Sequence, residues 1–96
     1  MRLIWSKAAA RDLQQVASHI AQDSEQAAQL VESRIHEAAK LLLIIPEAGR
    51  PGRVSGTREL VALRTPYILV YRRNSGRIHI LRIYHGARLW PSKFEP

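Results

Sequence analysis

The chain has 96 residues, 46% of them hydrophobic, which is enough for one domain with a single aliphatic core. It contains no cysteine, so disulfides, thiolate metal sites and cysteine catalysis are excluded, and the composition fits a reducing compartment. The longest apolar run, Leu41 to Ile45, is far shorter than the roughly 20 residues that span a bilayer. We therefore expect a cytoplasmic protein with no membrane partner.

The net charge of +7 is concentrated in the second half of the chain. Residues 1–48 have five Lys or Arg and six Asp or Glu, a net charge of −1, whereas residues 49–96 have ten and two, a net charge of +8. Nine of those ten cations are arginines, which bind phosphate or carboxylate groups bidentately. This asymmetry indicates a surface for nucleic acid, a ribosome or an acidic protein segment. The alternative is a solvated surface that only keeps the protein in solution.

The predicted elements begin with a short apolar strand at residues 1–5, which two helices follow. Apolar residues recur at three- and four-residue steps through residues 8–21 and again through residues 24–45, where Pro46 ends the second helix. The break between them is only a few residues long, so the two helices should form an antiparallel hairpin.

The second half of the chain predicts a loop, three strands and a tail. Residues 46–57 contain three glycines and two arginines and should form a basic loop. Residues 58–85 read as a three-stranded meander with breaks at Pro66 and at Ser75-Gly76, and residues 86–96 form the tail. The predicted fold is therefore a single α+β domain over residues 1–96. Its elements follow the order β-α-α-β-β-β, and its antiparallel sheet packs on an N-terminal helical hairpin.

The apolar pattern also favours one register for the hairpin around Ser75-Gly76. A two-residue turn places Tyr67 opposite Tyr84, Leu69 opposite Arg82, and Tyr71 opposite Ile80. One face then has only aliphatic residues, which we expect to pack on the helices: Ile68, Val70, Leu81 and Ile83. The other face is apolar and aromatic, and we expect a partner protein to cover it. In the reverse arrangement, Ile68 and Val70 would form the partner groove and Tyr71 would belong to the core.

Nine residues make up a candidate site for a target protein or a nucleic acid. They combine arginines that can hold a phosphate, aromatic rings that can stack on a base, and a histidine suited to proton transfer near neutral pH. The set is Arg58, Arg64, Tyr67, Arg72, Arg82, Tyr84, His85, Arg88 and Trp90. For each of them the alternative is a structural tyrosine pair or a solvated arginine. The histidines lack zinc-type spacing and the glycine-rich loop lacks a phosphate-binding signature, so we expect no metal and no cofactor.

Several phrases of the sequence resemble the RelE/ParE toxins of type II toxin–antitoxin systems. They are Gly49-Arg50-Pro51-Gly52, Thr57-Arg58-Glu59-Leu60, Pro66-Tyr67-Ile68-Leu69-Val70-Tyr71 and His85-Gly86-Ala87-Arg88, with Trp5-Ser6 and Ala9 to Leu13 near the N-terminus. The resemblance covers Leu3 to Pro91 and implies a toxin that a cognate antitoxin wraps and neutralises in a hetero-oligomeric complex. In such binding a flexible segment folds as it buries apolar surface, and its acidic residues meet the basic half of the toxin.

The two branches of this family imply different targets. RelE-like toxins are ribosome-dependent messenger-RNA endonucleases that usually have an arginine at the position of Ile68. ParE-like toxins, whose characterised members inhibit DNA gyrase, often have the Pro-Tyr-Ile-x-Val-Tyr form found here and a His-Gly-Ala-Arg ending. The resemblance therefore favours a non-enzymatic gyrase inhibitor without catalytic residues.

Two alternatives stay open. The first is a ribosome-dependent endonuclease that acts on messenger RNA through Arg64, Arg82 and His85. In that case arginine would stabilise the transition-state phosphate and His85 would be the general acid or base. The second alternative is a non-toxic relative that only binds its antitoxin.

Overall fold

The computed structural model of the protein describes residues 1–87. The helices are α1 (Lys7–Ala21) and α2 (Glu25–Ile44), and the strands are β1 (Arg2–Trp5), β2 (Arg50–Pro51), β3 (Arg58–Val61), β4 (Tyr67–Asn74) and β5 (Arg77–His85). The predicted α+β class is confirmed, and the helix ends lie within one residue of the prediction. The two-residue strand β2 is additional, because it lies inside the segment predicted as a loop. The predicted tail includes residues 88–96, which lie outside the described part of the chain.

Serine side chains begin both helices. The Ser6 hydroxyl accepts a hydrogen bond from the amide of Ala9 at 2.9 Å, and the Ser24 hydroxyl accepts one from Ala27 at 3.1 Å. Each bond satisfies one of the amides that a helix N-terminus leaves without a partner. Pro46 follows α2 directly after its last turn, as predicted. Within residues 1–87, neither helix is both long enough and apolar enough to cross a membrane.

The five strands form one sheet in the order β1-β5-β4-β3-β2. Strands β2 to β5 pair antiparallel, but β1 pairs parallel with β5, so the sheet is mixed rather than purely antiparallel. The parallel pair is possible because the connection between β1 and β5 contains both helices and the other strands, and a parallel pair needs a long crossover.

A β-bulge changes the predicted register of the β4–β5 hairpin. Tyr71 lies opposite Ile80 as predicted, but the pairing shifts by one residue beyond it. Tyr67 therefore lies opposite His85 instead of Tyr84, and Leu69 lies opposite Ile83 instead of Arg82. The extra residue in β5 is Leu81. The register prediction was wrong here because a regular alternation of side chains does not reveal an inserted residue.

The predicted face of β4 was also wrong, because Tyr71 belongs to the core, as in the reverse arrangement, although Ile68 and Val70 do not form an exposed groove. Leu69, Tyr71 and Ile80 pack in the core with Ile35 and Leu42 of α2. Tyr71 can be fully buried because its hydroxyl donates to the Pro46 carbonyl at 2.7 Å and accepts from the Gly49 amide at 2.9 Å. Because both hydrogen bonds of the hydroxyl are made, burial of this tyrosine leaves no polar group without a partner.

The second face of the sheet is not the uncovered apolar surface that was expected. Ile68, Val70 and Tyr84 are 4%, 0% and 2% exposed, so they are buried within the chain itself. The expectation of an uncovered apolar face is therefore wrong, and the face that contacts a partner stays a prediction. Exposed apolar side chains lie instead elsewhere, and three of them line a groove between α2 and β3: Leu41, Val61 and Leu63.

Candidate functional site

A buried carboxylate organises the basic loop. Glu59, which is 3% exposed, accepts hydrogen bonds from the Arg50 guanidinium at 3.1 Å and from the Arg53 amide at 2.7 Å. Arg58, one of the candidate site residues, donates to the Gly49 carbonyl at 2.8 Å. These contacts tie the loop to β3, so part of the positive charge in this segment has a structural role.

The glycines of the loop allow its close packing. A Cβ atom at Gly49 would lie 2.7 Å from a ring carbon of Tyr71, and one at Gly52 would lie 2.9 Å from the Thr57 carbonyl. The Gly52 amide also donates to that carbonyl at 2.7 Å. The sequence phrases Gly49-Arg50-Pro51-Gly52 and Thr57-Arg58-Glu59-Leu60 therefore lie against each other and determine the loop conformation.

Arg82 forms a bidentate pair with Asp12 of α1. Its Nε and Nη2 atoms donate to the Asp12 carboxylate at 2.7 and 3.0 Å, and the Ile83 amide donates to the same carboxylate at 2.9 Å. The hydrogen bond from Asp12 raises the pKa of Arg82 above its usual value, although burial opposes it. The guanidinium also lies 4.8 Å from the centre of the Tyr84 ring. The candidate site residues Arg82 and Tyr84 thus have interaction partners inside the chain.

Sequence reasoning missed Asp12 because an acidic residue in a helix is ordinarily a surface charge. The available signal was its neighbour Leu13, since two adjacent positions at the edge of an apolar stripe can both face the protein. Asp12 is 7% exposed and Leu13 is 8% exposed.

His85 and Tyr67 lie at the mouth of a small cavity between α1 and the sheet. Their rings meet edge to face with centroids 5.6 Å apart, and His85 Nδ1 accepts a hydrogen bond from the Ala87 amide at 3.1 Å. The cavity measures about 210 Å³, and its lining includes Asp12 and His19. Within residues 1–87 there is no group of three or more His, Asp or Glu side chains that could hold a metal ion.

A larger groove separates α2 from β3 and the turn that follows it. It measures about 520 Å³ and is lined by Arg34, Glu37, Ala38, Leu41, Leu60, Val61, Leu63 and Arg64. Val61 and Leu63 are 51% and 76% exposed, which is unusual for two aliphatic residues so close in sequence. We call this feature the α2–β3 groove. It was not predicted, although the apolar run Leu41 to Ile45 exceeds the single stripe that a helix needs for its core contacts.

Two arginines border the α2–β3 groove. Arg34 Nη1 donates to the Arg64 carbonyl at 3.2 Å, and this bond connects α2 to the turn. Arg64 has a φ of 61°, which is the left-handed region. The groove therefore combines an apolar floor with two arginines and one carboxylate, that of Glu37, in its lining.

The seven candidate residues that the structure describes are not gathered in one cleft. Arg64 lines the α2–β3 groove, whereas His85 lines the cavity beside α1, so the three residues proposed for a nuclease do not share one cleft. Arg72 lies opposite His79 on the sheet and lines a third cleft, of about 280 Å³, with Arg58. Arg88 and Trp90 lie outside the described residues.

Comparisons with known proteins identify relatives over almost the whole chain. Residues 3–90 match the family described as the ParE toxin of the type II toxin–antitoxin system parDE. The protein Y4kP of Sinorhizobium fredii is 40% identical over 94% of this chain and 93% of its own length. Toxin RelE2 of Caulobacter vibrioides is 39% identical over 92% of this chain and 98% of its own.

A solved structure is also similar. It is described as a chromosomal ParDE toxin–antitoxin system from P. aeruginosa, and its matching chain is 33% identical with a TM-score of 0.79. The match covers 88% of this chain and 95% of that one.

Proposed function

Because the chain belongs to the ParE toxin family of type II toxin–antitoxin systems, we propose that it arrests bacterial growth in the cytoplasm by inhibiting DNA gyrase. We further propose that a cognate antitoxin neutralises it in a hetero-oligomeric complex. A protein of this kind acts by binding a large enzyme and needs no cofactor of its own.

The observation that supports gyrase over the ribosome is the environment of Ile68. RelE-like toxins usually have an arginine at this position, and here the side chain is apolar and 4% exposed. It lies opposite the buried Tyr84, and an apolar side chain in this position cannot hold a phosphate. Arg82 is also committed to Asp12 through two hydrogen bonds, which leaves it poorly placed to stabilise a transferred phosphate.

Induced expression of this chain alone tests the target. We expect DNA synthesis to stop before protein synthesis when both are pulse-labelled in the same culture. Purified protein should inhibit gyrase supercoiling or trap gyrase–DNA cleavage complexes at micromolar concentrations. If protein synthesis collapses first and gyrase is unaffected, the gyrase proposal is wrong.

The endonuclease is the second candidate function because His85 is exposed at the mouth of a cavity, next to Tyr67. The relative named RelE2 keeps this alternative relevant. A ribosome-dependent nuclease would produce new 5′ ends in the ribosomal A-site codon, and His85→Ala would abolish them. His19→Ala is the matched control, because His19 lines the same cavity from α1. Absence of new 5′ ends in the wild-type protein would end this alternative.

The α2–β3 groove is our candidate docking site for the antitoxin. An amphipathic segment could place apolar side chains on Leu41, Val61 and Leu63 while its acidic residues meet Arg34 and Arg64. Burial of such exposed aliphatic residues supplies the main driving force for a segment that folds as it binds.

A negative charge introduced into the apolar floor of the groove tests this docking site. We expect Val61→Glu to weaken antitoxin binding by roughly 30-fold or more, since truncation of a central interface residue costs about 2 kcal/mol. The control is Leu30→Glu, because Leu30 is equally exposed on α2 but does not line the groove. Isothermal titration calorimetry with the antitoxin measures the affinity of both variants. Equal losses in the two variants would show that the groove has no special role.

A further inference from the structure

Three arginines and a histidine share one end of the sheet, on the face opposite the helices. Along β5, Ile78 and Ile80 point into the core, so the alternate positions Arg77 and His79 point to the other face. The ladders place two further arginines beside them: Arg2 of β1 pairs with Arg77, and Arg72 of β4 pairs with His79. We call Arg2, Arg72, Arg77 and His79 the cationic platform.

The cationic platform has no compensating negative charge among residues 1–87. The four ion pairs of this part of the chain involve Arg50, Arg53, Arg73 and Arg82 and the carboxylates of Asp12, Glu47 and Glu59. The remaining described acids, Asp23, Glu25, Glu32 and Glu37, lie in the helical hairpin. No carboxylate in residues 1–87 therefore pairs with Arg2, Arg72 or Arg77.

Such an arrangement lowers the stability of the protein itself. Arg2 and Arg77 are direct neighbours across the β1–β5 ladder, and like charges in that position repel each other. Both residues are exposed, and Arg72 is half-buried. A cluster that the fold does not need is best explained by an external anion that relieves the repulsion.

The geometry of the platform suits an extended polyanion rather than a single small anion. Alternate residues of a strand lie about 6.6 Å apart and neighbouring strands about 4.8 Å apart, so the four side chains spread over three strands. Double-stranded DNA has one negative charge per about 1.7 Å of its axis, and arginine binds phosphate bidentately. The groove that we propose for the antitoxin lies between α2 and β3, whereas β1, β4 and β5 supply the platform.

We propose that the cationic platform binds the phosphate backbone of duplex DNA without reading its sequence. The platform has no base-reading element such as a groove-inserted helix, so contacts to phosphate dominate. The choice of DNA as the polyanion rests on the proposed function, because gyrase holds duplex DNA and a toxin bound to that DNA is already beside its target. Binding itself does not require gyrase.

Fluorescence anisotropy with a short labelled DNA duplex tests the platform over a range of KCl concentrations. We expect the full chain to bind, and the triple variant R2Q/R72Q/R77Q to bind at least about tenfold more weakly at low salt. The slope of log K against log salt should fall in magnitude by about 2.7, since each phosphate contact contributes about 0.9.

The matched control is the triple variant K7Q/R11Q/K40Q. It removes the same charge from exposed positions on the helices, outside the platform. We expect its affinity to fall less than that of the platform variant and its salt slope to stay close to that of the wild type. Circular dichroism confirms that both variants fold. Equal losses in the two triple variants would overturn the platform, because net charge alone would then explain binding.

Two further outcomes distinguish this inference from the proposed function. A poly-glutamate peptide that binds as tightly as DNA, with the same dependence on the three arginines, would assign the platform to an acidic protein and overturn DNA as its ligand. DNA binding through the platform without any effect on gyrase would support this inference while the proposed function fails. Gyrase inhibition without DNA binding would support the proposed function and overturn this inference.

Discussion

Arg82 and Arg77 belong to the same strand, five positions apart, but their electrostatic surroundings differ completely. Arg82 donates two hydrogen bonds to the buried Asp12, whereas Arg77 lies beside Arg2. The first arginine connects a helix to the sheet, and the second adds repulsion to the folded state. The amino-acid composition alone does not distinguish these two arginines. The positions of the buried carboxylates show which arginines have a structural role and which are available to a partner.

The contrast between residues with a structural role and residues available to a partner extends to two groups of side chains. Asp12, Glu59 and Tyr71 are buried polar groups, and each joins two different segments of the chain. The cationic platform joins nothing within residues 1–87. Substitutions in the first group should therefore change stability, and substitutions in the platform should change binding.

The largest expected effect is that of Asp12→Ala. It removes both hydrogen bonds to Arg82 and leaves the Ile83 amide without its acceptor, so we expect the free energy of unfolding to fall by roughly 3 kcal/mol. Urea unfolding measures the change. Asp23→Ala is the control, because Asp23 is exposed in the turn between the helices, and it should cost less than about 0.5 kcal/mol. A comparable loss in both variants would contradict a structural role for the Asp12–Arg82 pair.

An intermediate effect is expected for Tyr71→Phe. The hydroxyl satisfies the Pro46 carbonyl and the Gly49 amide, so its removal should cost about 1–2 kcal/mol. Thermal or urea unfolding at neutral pH measures this loss. Tyr67→Phe is the comparison, because Tyr67 is only partly buried.

Tyr71 also gives the protein an alkaline pH dependence. Burial raises the pKa of Tyr71 above its usual value, although the Gly49 amide and Arg58 oppose the shift. The folded state thus holds this proton more tightly than the unfolded state does. The resulting stability is complete below pH of about 10 and is lost as the pH rises above it. Tyr71→Phe should lose less stability between neutral and strongly alkaline pH than the wild type, and an unchanged alkaline slope would contradict this account.

The smallest expected effect is that of Arg77→Gln. Because the substitution relieves repulsion with Arg2, stability should be unchanged or should rise by a few tenths of a kcal/mol. Thermal unfolding at low ionic strength is the sensitive measurement, since salt screens exposed charges. A loss of more than about 1 kcal/mol would place Arg77 among the structural residues instead.

The sequence was sufficient to predict the two helices and the order of the elements apart from the short strand β2. Periodicity determines these features, because apolar stripes and breaks at Pro46 and Ser75-Gly76 are local signals. The faces of β4 and the pairing of β5 were not predictable from the same pattern. They depend on the bulge at Leu81 and on hydrogen-bond partners for Tyr71 that lie far away in sequence.

The candidate site was only partly predictable for a similar reason. A list of arginines cannot show that Arg82 is paired with Asp12 while Arg72 has no acidic partner within residues 1–87. The α2–β3 groove also depends on how two apolar segments meet across a gap. Both features are properties of tertiary packing, which one-dimensional spacing does not contain.

The position of β1 has a consequence for the synthesis of the toxin. Among residues 1–87, β1 has its sheet partner in β5, which is 75 residues away in sequence, and the Ser6 hydroxyl donates to the Leu81 carbonyl at 2.9 Å. Contacts so distant in sequence form late and slow the folding of a domain. A nascent chain therefore cannot complete the described sheet until β5 has been synthesised, and we expect chains truncated before β5 to be harmless to the cell that makes them.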